Sequence, residues 1–274
     1  MARKNLDSDT TVRRWIKEGR GSGEGKDYKP WLTVRDVSSL GRSHRIFGHK
    51  SQRTHHLLSD LELAVFLLLE WCSETLDIRE QFPLRLEETQ AIAVEAGIAH
   101  PAYRGKPHIM TSDFLVNTSN SNEPKYVLQA KYTESLHDAR TIEKMEVERR
   151  YWVNKSVPWR IVTEKDIPPT LSQNIKWLYP AQRDELELNN VHERVQFYAH
   201  YFNLNPHYSI IDIGKQMDTA YALPIGQSFL EIRQLLANRY FLFDVFKPYN
   251  AIKVGELIIA NPQFLAESLH VSNQ

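Results

Sequence analysis

Apolar residues between positions 59 and 73 recur at helical spacing: Leu61, Val65 and Leu68 form one stripe, and Phe66 and Leu69 extend it to the adjoining face. A helix patterned in this way is buried over much of its circumference. Ser59 is a favourable N-cap, and Glu62 follows three residues later, at capping-box spacing. Ile78-Arg-Glu-Gln-Phe82 reads as a strand ended by Pro83, and residues 84–108 as irregular chain with a short helix near 88–96. Two strand-like runs, 109–116 and 126–132, are joined by Asn-Thr-Ser-Asn-Ser-Asn at 117–122, a turn composition. A charged helix is expected over about 137–155, and Trp159-Arg-Ile-Val-Thr163 as another strand. Strand, long helix and strand in succession read as a crossover between parallel strands. The first domain is therefore expected to be α/β, or α+β, with a mixed sheet.

Asp166-Ile-Pro-Pro-Thr170 reads as a linker, dividing the chain into residues 1–165 and 166–274. Residues 171–205 look helical. Tyr208–Leu223 and Gln227–Arg239 are two further helical patterns, separated by Pro224-Ile-Gly226. Tyr240–Phe246 reads as a strand that turns at Lys247-Pro-Tyr-Asn250 into Ala251–Val254. Helix, turn, helix and hairpin outline a winged helix. Residues 1–50, rich in Gly, Ser, Lys and Arg, read as a mobile or partner-ordered arm. The stretch Glu18-Gly-Arg-Gly-Ser-Gly-Glu-Gly-Lys26 is not a P-loop, because Arg20 stands where the first glycine belongs and Asp27 where Ser or Thr belongs.

Composition narrows the chemistry. Cys72 is the one cysteine among 274 residues, which excludes an internal disulfide and a thiolate zinc cage. The first residues carry no apolar core of a signal peptide, and the longest apolar run, Leu63–Leu69, is too short to cross a bilayer, so a cytosolic protein is expected. The net charge is zero but unevenly spread: residues 1–56 carry 13 Lys+Arg against 6 Asp+Glu, and residues 57–100 carry 2 against 9. A basic segment beside an acidic one suits a protein that holds a phosphate backbone near metal-binding carboxylates, and equally suits two segments that pair with each other. Residues 170–274 carry 8 basic against 10 acidic residues, whereas a dedicated DNA-reading wing would be basic.

The candidate chemistry lies in Ser-Asp-Phe-Leu-Val (112–116) and Tyr-Val-Leu-Gln-Ala-Lys-Tyr (126–132). Gln129 and Lys131 are two apart on a strand and share a face with Val127. Glu62 has Leu58, Val65 and Phe66 as its helical neighbours and thus no ionic partner on its own helix. Each residue has an ordinary reading: Lys131 as a guard on an edge strand, Asp113 as a strand-end turn former, Glu62 as the capping-box residue. Taken together, they suit phosphodiester hydrolysis. Magnesium or manganese takes oxygen ligands, which Glu62, Asp113 and the Gln129 amide would supply. Lys131 would orient the attacking water or stabilise developing charge. His44, His49, His55 and His56 form a loose cluster without zinc spacing, Arg42 and Arg45 are candidates for DNA-backbone contacts, and Glu148 is a candidate neighbour of the site.

An Asp followed by (Asp/Glu)-x-Lys is the signature of the restriction-endonuclease-like fold, and Gln129 stands here where most members have an acid. That substitution, with further stretches, resembles the TnsA family, the endonuclease subunits of heteromeric cut-and-paste transposition systems. The stretches are Lys17-Glu-Gly-Arg-Gly, Gly25-Lys-Asp-Tyr, Pro30-Trp-Leu-Thr-Val34, Gly41-Arg-Ser-His-Arg-Ile46, His55-His-Leu-Leu-Ser-Asp-Leu-Glu-Leu-Ala-Val-Phe66, Ile78-Arg-Glu-Gln-Phe-Pro-Leu84, Glu148-Arg-Arg-Tyr-Trp152 and Pro158-Trp159. They cover residues 17–165 densely, while the C-terminal third matches by layout. The resemblance implies a restriction-endonuclease-like catalytic domain followed by a winged-helix-like domain. It implies Glu62, Asp113 and Lys131 as catalytic residues, and Glu62, Asp113 and Gln129 around two Mg2+ ions, with Mn2+ as a substitute. It further implies cleavage at the 5′ ends of a transposon in the bacterial nucleoid, beside a DDE transposase that cuts the 3′ ends, and an ATP-dependent regulator docked on the C-terminal domain. Two other readings stand beside it: a freestanding repair or junction nuclease, which would cleave DNA unaided, and a non-catalytic DNA-binding assembly subunit, which would tolerate loss of Lys131.

Overall fold

The computed structural model describes residues 9–37, 42–103, 105–183 and 188–261. The chain forms two compact units that meet at Ile167 and Pro168. In the first, helix α1 (Asp9–Lys17) is followed by a hairpin of β1 (His44–Gly48) and β2 (Arg53–Leu57). Helix α2 (Asp60–Trp71) leads into β3 (Thr75–Pro83), and α3 (Leu86–Glu95) follows. A two-residue ladder, β4 (Ala102–Tyr103) with β5 (Lys106–Pro107), precedes β6 (Thr111–Thr118) and β7 (Lys125–Ala130). Helix α4 (Ala139–Val153) then crosses to β8 (Trp159–Val162). The main sheet has the order β3-β6-β7-β8, antiparallel at the first two interfaces and parallel at β7–β8. The expected mixed sheet and parallel crossover are both present. Leu115 and Val127, directly paired across β6 and β7, pack with Ile92 and Ala93 of α3 and with Val147, Tyr151 and Trp152 of α4.

The expectation of a mobile or partner-ordered arm over residues 1–50 is corrected for residues 9–37, and for 42–50, which hold β1. Trp15 and Trp31 are 2% and 4% exposed and meet edge to face at 5.2 Å. The Tyr28 hydroxyl donates to the Glu80 carbonyl at 3.0 Å. The glycines that suggested mobility instead permit close packing. Gly21 has a φ of +75°, and a Cβ there would lie 2.2 Å from the Pro83 ring; Gly23 has a φ of +89°, and a Cβ would lie 2.5 Å from the Asp27 carbonyl oxygen. Residues 1–8 and 38–41, including Gly41 of the resemblance, lie outside the described residues.

The second unit contains α5 (Pro169–Leu178), α6 (Leu188–Leu204), α7 (Ile210–Ala220) and α8 (Gln227–Ala237), with β9 (Phe241–Leu242) paired to β10 (Ile258–Ile259). Ile213 and Met217 of α7 and Ile232 and Leu235 of α8 are buried. Ser209 caps α7, its hydroxyl accepting the Asp212 N–H. The Asp218 carboxylate accepts the N–H groups of Gly226 and Ser228 at the start of α8. The unit is mainly helical, as expected, but its hairpin is not the one read from the sequence. Residues 249–251 and 254–256 form 3-10 turns, and the strand that returns to β9 is β10. No helix among the described residues is long and apolar enough to cross a membrane.

Candidate active site

Beyond the Phe114–Leu128 pair the ladder between β6 and β7 stops, and side chains take over its hydrogen bonds. The Asp113 N–H donates to Gln129 Oε1 at 2.9 Å, and the Ala130 N–H donates to Asp113 Oδ2 at 2.9 Å. Two buried backbone donors that the opening sheet would leave unpaired are thus satisfied by the two side chains singled out in the sequence. Lys131, one residue past β7, donates from its backbone to the Val162 carbonyl and from Nζ to Asp113 Oδ2 at 3.2 Å. Strand β7 lies between β6 and β8, so the edge-guard reading of Lys131 does not hold. Nor is Asp113 a turn former, because its carboxylate is fixed within the sheet.

Glu62 approaches from the start of α2. Ser59 Oγ accepts the Glu62 N–H at 3.0 Å, while Glu62 Oε2 accepts the Leu58 N–H at 2.8 Å and Oε1 accepts the Ser59 hydroxyl at 3.2 Å. The capping interaction is therefore real, with its return arm on the residue before the cap. It pins a carboxylate that is 6% exposed. Burial, and then the charge of Asp113, push the Glu62 pKa up, outweighing the Leu58 N–H, Lys131 and Ser59. Burial opposes the charge on Lys131, but Asp113, Glu148 and Glu62 outweigh it and raise its pKa. Glu148, fully enclosed on α4, accepts from Ser112 Oγ at 2.7 Å and from Trp159 Nε1 at 2.9 Å; burial pushes its pKa up to about 7. On the same helix Glu146 lies nearer the surface and pairs with Arg149 and Arg150.

Gln81 is the neighbour of the site to which sequence reasoning assigned no role. It has a φ of +48° inside β3, a region that bulky residues rarely enter. It drops out of the ladder between the Glu80–Phe114 and Phe82–Ser112 pairs. Gln81 Nε2 lies 3.4 Å from Glu62 Oε2, its Oε1 accepts the Thr111 hydroxyl at 3.1 Å, and its carbonyl accepts the Trp31 N–H at 3.2 Å. The one sequence signal is its place in Ile78-Arg-Glu-Gln-Phe-Pro-Leu84; nothing in it announces a left-handed backbone.

The histidines do not converge on a metal. His44 bonds Asp60, whereas His55, fully buried, lies between Ser51 and Glu80. Burial opposes the charge of Glu80, but His55 and Arg53 outweigh it and hold the carboxylate ionised. Among the described residues no three His, Cys, Asp or Glu side chains are grouped to hold an ion. Glu62 and Asp113 with the amide oxygen of Gln129 form instead an all-oxygen set that suits a hard divalent cation completed by water and phosphate. Burial and the Asp113 charge together raise the Glu62 pKa, an imbalance that such a cation would relieve. Gln129 must accept the Asp113 N–H beside the Asp113 carboxylate, and a neutral amide does this without adding a third negative charge; its oxygen retains a second lone pair.

Comparison with known proteins identifies the family. A family model described as TnsA-like endonuclease N terminal matches residues 72–164, which include Asp113, Gln129, Lys131 and Glu148 but begin after Glu62. A model described as TnsA endonuclease C terminal matches residues 166–245. The transposon Tn7 transposition protein TnsA of Escherichia coli is 46% identical over 274 residues, covering 100% of both chains. The chain therefore belongs to the TnsA endonuclease family.

Proposed function

We propose that this endonuclease hydrolyses the phosphodiester bond at the 5′ ends of a transposon through Glu62, Asp113 and Lys131, with Mg2+ as its cation. The observation that carries the reading is the convergence of Asp113 and Lys131, 3.2 Å apart at the point where β6 and β7 separate, with Glu62 fixed by its own helix cap near enough to interact with both charges. Bound ions would supply a nucleophilic water and charge stabilisation for the leaving oxygen. Glu62, Asp113 and the Gln129 oxygen would hold them. The protein's own part is positional. Leu58 and Ser59 fix the Glu62 carboxylate, Ala130 and Gln129 fix Asp113, and the Asp113–Lys131 pair keeps an ammonium where the phosphate oxygens arrive. Glu148, tied to Ser112 and Trp159, sustains the charge on Lys131 from behind.

In this reading residues 1–165 are a restriction-endonuclease-like catalytic domain. The helical C-terminal unit, with winged-helix-like order, docks an ATP-dependent regulator, and a DDE transposase cuts the 3′ ends. The relative's name as a transposition protein supports the setting, and the mixed sheet with its parallel crossover supports the fold. The test is Asp113→Ala assayed with its transposase on transposon-end DNA. Loss of 5′-strand nicking with 3′-strand cleavage retained is expected; unchanged 5′ nicking overturns the assignment.

A further inference from the structure

The N-terminal unit carries an open depression of about 400 Å³ whose lining includes Arg14, Arg20, Arg35, Asp36, Arg45 and His56. Four arginines share it with one carboxylate. Arg20 is already committed: it bonds Asp36 at 2.7 Å, the Trp31 carbonyl at 3.0 Å and Glu18 at 3.0 Å, and it lies 4.3 Å over the Trp15 ring. Arg14 meets Glu18 loosely, at 3.6 Å and with both side chains exposed. The guanidinium groups of Arg35 and Arg45 have no ion pair or hydrogen bond among the described residues. Arg45 stands opposite His56 in the β1–β2 hairpin, and His56 Nδ1 is a buried nitrogen without a hydrogen-bond partner. Arg35 and Arg45 are both exposed where they line this depression, so their guanidinium forks are open to phosphate oxygens.

The depression is tied to the cleavage centre by a short chain of bonds. The Trp31 carbonyl accepts from Arg20 and its N–H donates to Gln81, whose amide reaches Glu62. Leu58, whose N–H holds Glu62, packs its side chain into the Trp15–Trp31 cluster. One layer thus floors the depression and positions the carboxylate.

We propose that this depression is a phosphate subsite that grips the DNA backbone beside the bond being cut, through Arg35 and Arg45 with Arg14 and His56 at its rim. The proposal rests on Glu62, Asp113 and Lys131 forming the cleavage centre. It contributes affinity and register without reading sequence.

The test compares the full chain with its Arg35→Ala/Arg45→Ala variant on duplex DNA carrying a transposon end, over a range of salt concentrations. Each lost phosphate contact lowers the slope of log K against log salt by about 0.9. A slope reduced by about 1–2, with DNA affinity weakened on the order of tenfold near physiological salt, is expected. Mn2+ binding, followed by calorimetry, is expected to match that of the unmodified chain. Arg149→Ala, at an exposed residue paired with Glu146, should leave the slope alone. An unchanged slope in a double variant that still binds Mn2+ overturns the subsite. Binding of inorganic phosphate that the double variant abolishes, with the DNA slope unchanged, marks a small-anion site and overturns the assignment to DNA. Absence of Mn2+ binding in the unmodified chain is a failure of the carboxylate centre, distinguishable because the slope still reports the arginines.

Discussion

Glu62→Gln should change how stability depends on pH, and by an amount the site geometry sets. Burial and the Asp113 charge push the Glu62 pKa from 4.5 up to about 8 in the folded chain. Between these values the folded state keeps a proton that the unfolded state has released. The stabilisation is therefore complete at pH below about 4.5 and is lost as pH rises toward 8. Each unit in that window costs at most about 1.4 kcal/mol. The hydrogen bonds from Leu58 and Ser59 already temper this shift, and the loss between pH 6 and 8 is about 2 kcal/mol. Glutamine has no proton to lose, and its oxygen can still accept the Leu58 N–H. In chelator, urea denaturation at pH 6, 7, 8 and 9 should show Glu62→Gln gaining on the unmodified chain as pH rises, with the gain levelling off above about 8. Glu148→Gln, measured alongside, accounts for the neighbour whose pKa lies at about 7. A stability difference between Glu62→Gln and the unmodified chain that does not vary with pH would refute the raised pKa of Glu62.

Lys131→Met should reduce cleavage by 100-fold or more, an order of magnitude expected when a charge-stabilising donor is removed, while circular dichroism reports an unchanged fold; single-turnover nicking checks it. Gln129→Glu should keep the Asp113 N–H bonded but add a negative charge beside Asp113, lowering metal-free stability by about 1–3 kcal/mol in denaturant titration, with Mn2+ recovering part of it. Gln81→Val should destabilise more than Gln81→Gly by about 1–2 kcal/mol, because a β-branched residue tolerates a φ of +48° least; comparable losses in both would contradict strain at this position. Gly21→Ala should cost at least about 1–2 kcal/mol through its left-handed backbone alone, and more through the Pro83 contact, and should speed proteolysis of residues 9–37.

The parts of the fold legible in the sequence share a physical cause: a local pattern agreed with the final environment. The apolar stripe, N-cap and Glu62 of α2 all act within one helix, and the apolar run Phe114–Val116 of β6 matches its burial. The crossover through α4 followed from element order alone. The β1–β2 hairpin escaped because two of its buried residues, Arg53 and His55, are polar and owe their burial to Glu80 far along the chain. The segment 9–37 escaped for a similar reason, since Trp15, Tyr28 and Trp31 find their partners only after folding, and its glycines serve packing rather than mobility. At the site, Glu62, Asp113, Gln129 and Lys131 were visible as residue types at telling spacings. The replacement of ladder bonds by the Asp113 and Gln129 side chains, and the turned backbone of Gln81, depend on where β6 and β7 separate, which no local pattern encodes.

A crystal of the chain soaked in Mn2+ and measured for anomalous scattering tests the central claim most directly. Anomalous density between the Glu62 and Asp113 carboxylates, within coordinating distance of the Gln129 oxygen and lost in Asp113→Ala, is the predicted result. Manganese bound elsewhere while that position stays vacant at saturating Mn2+ would contradict the account.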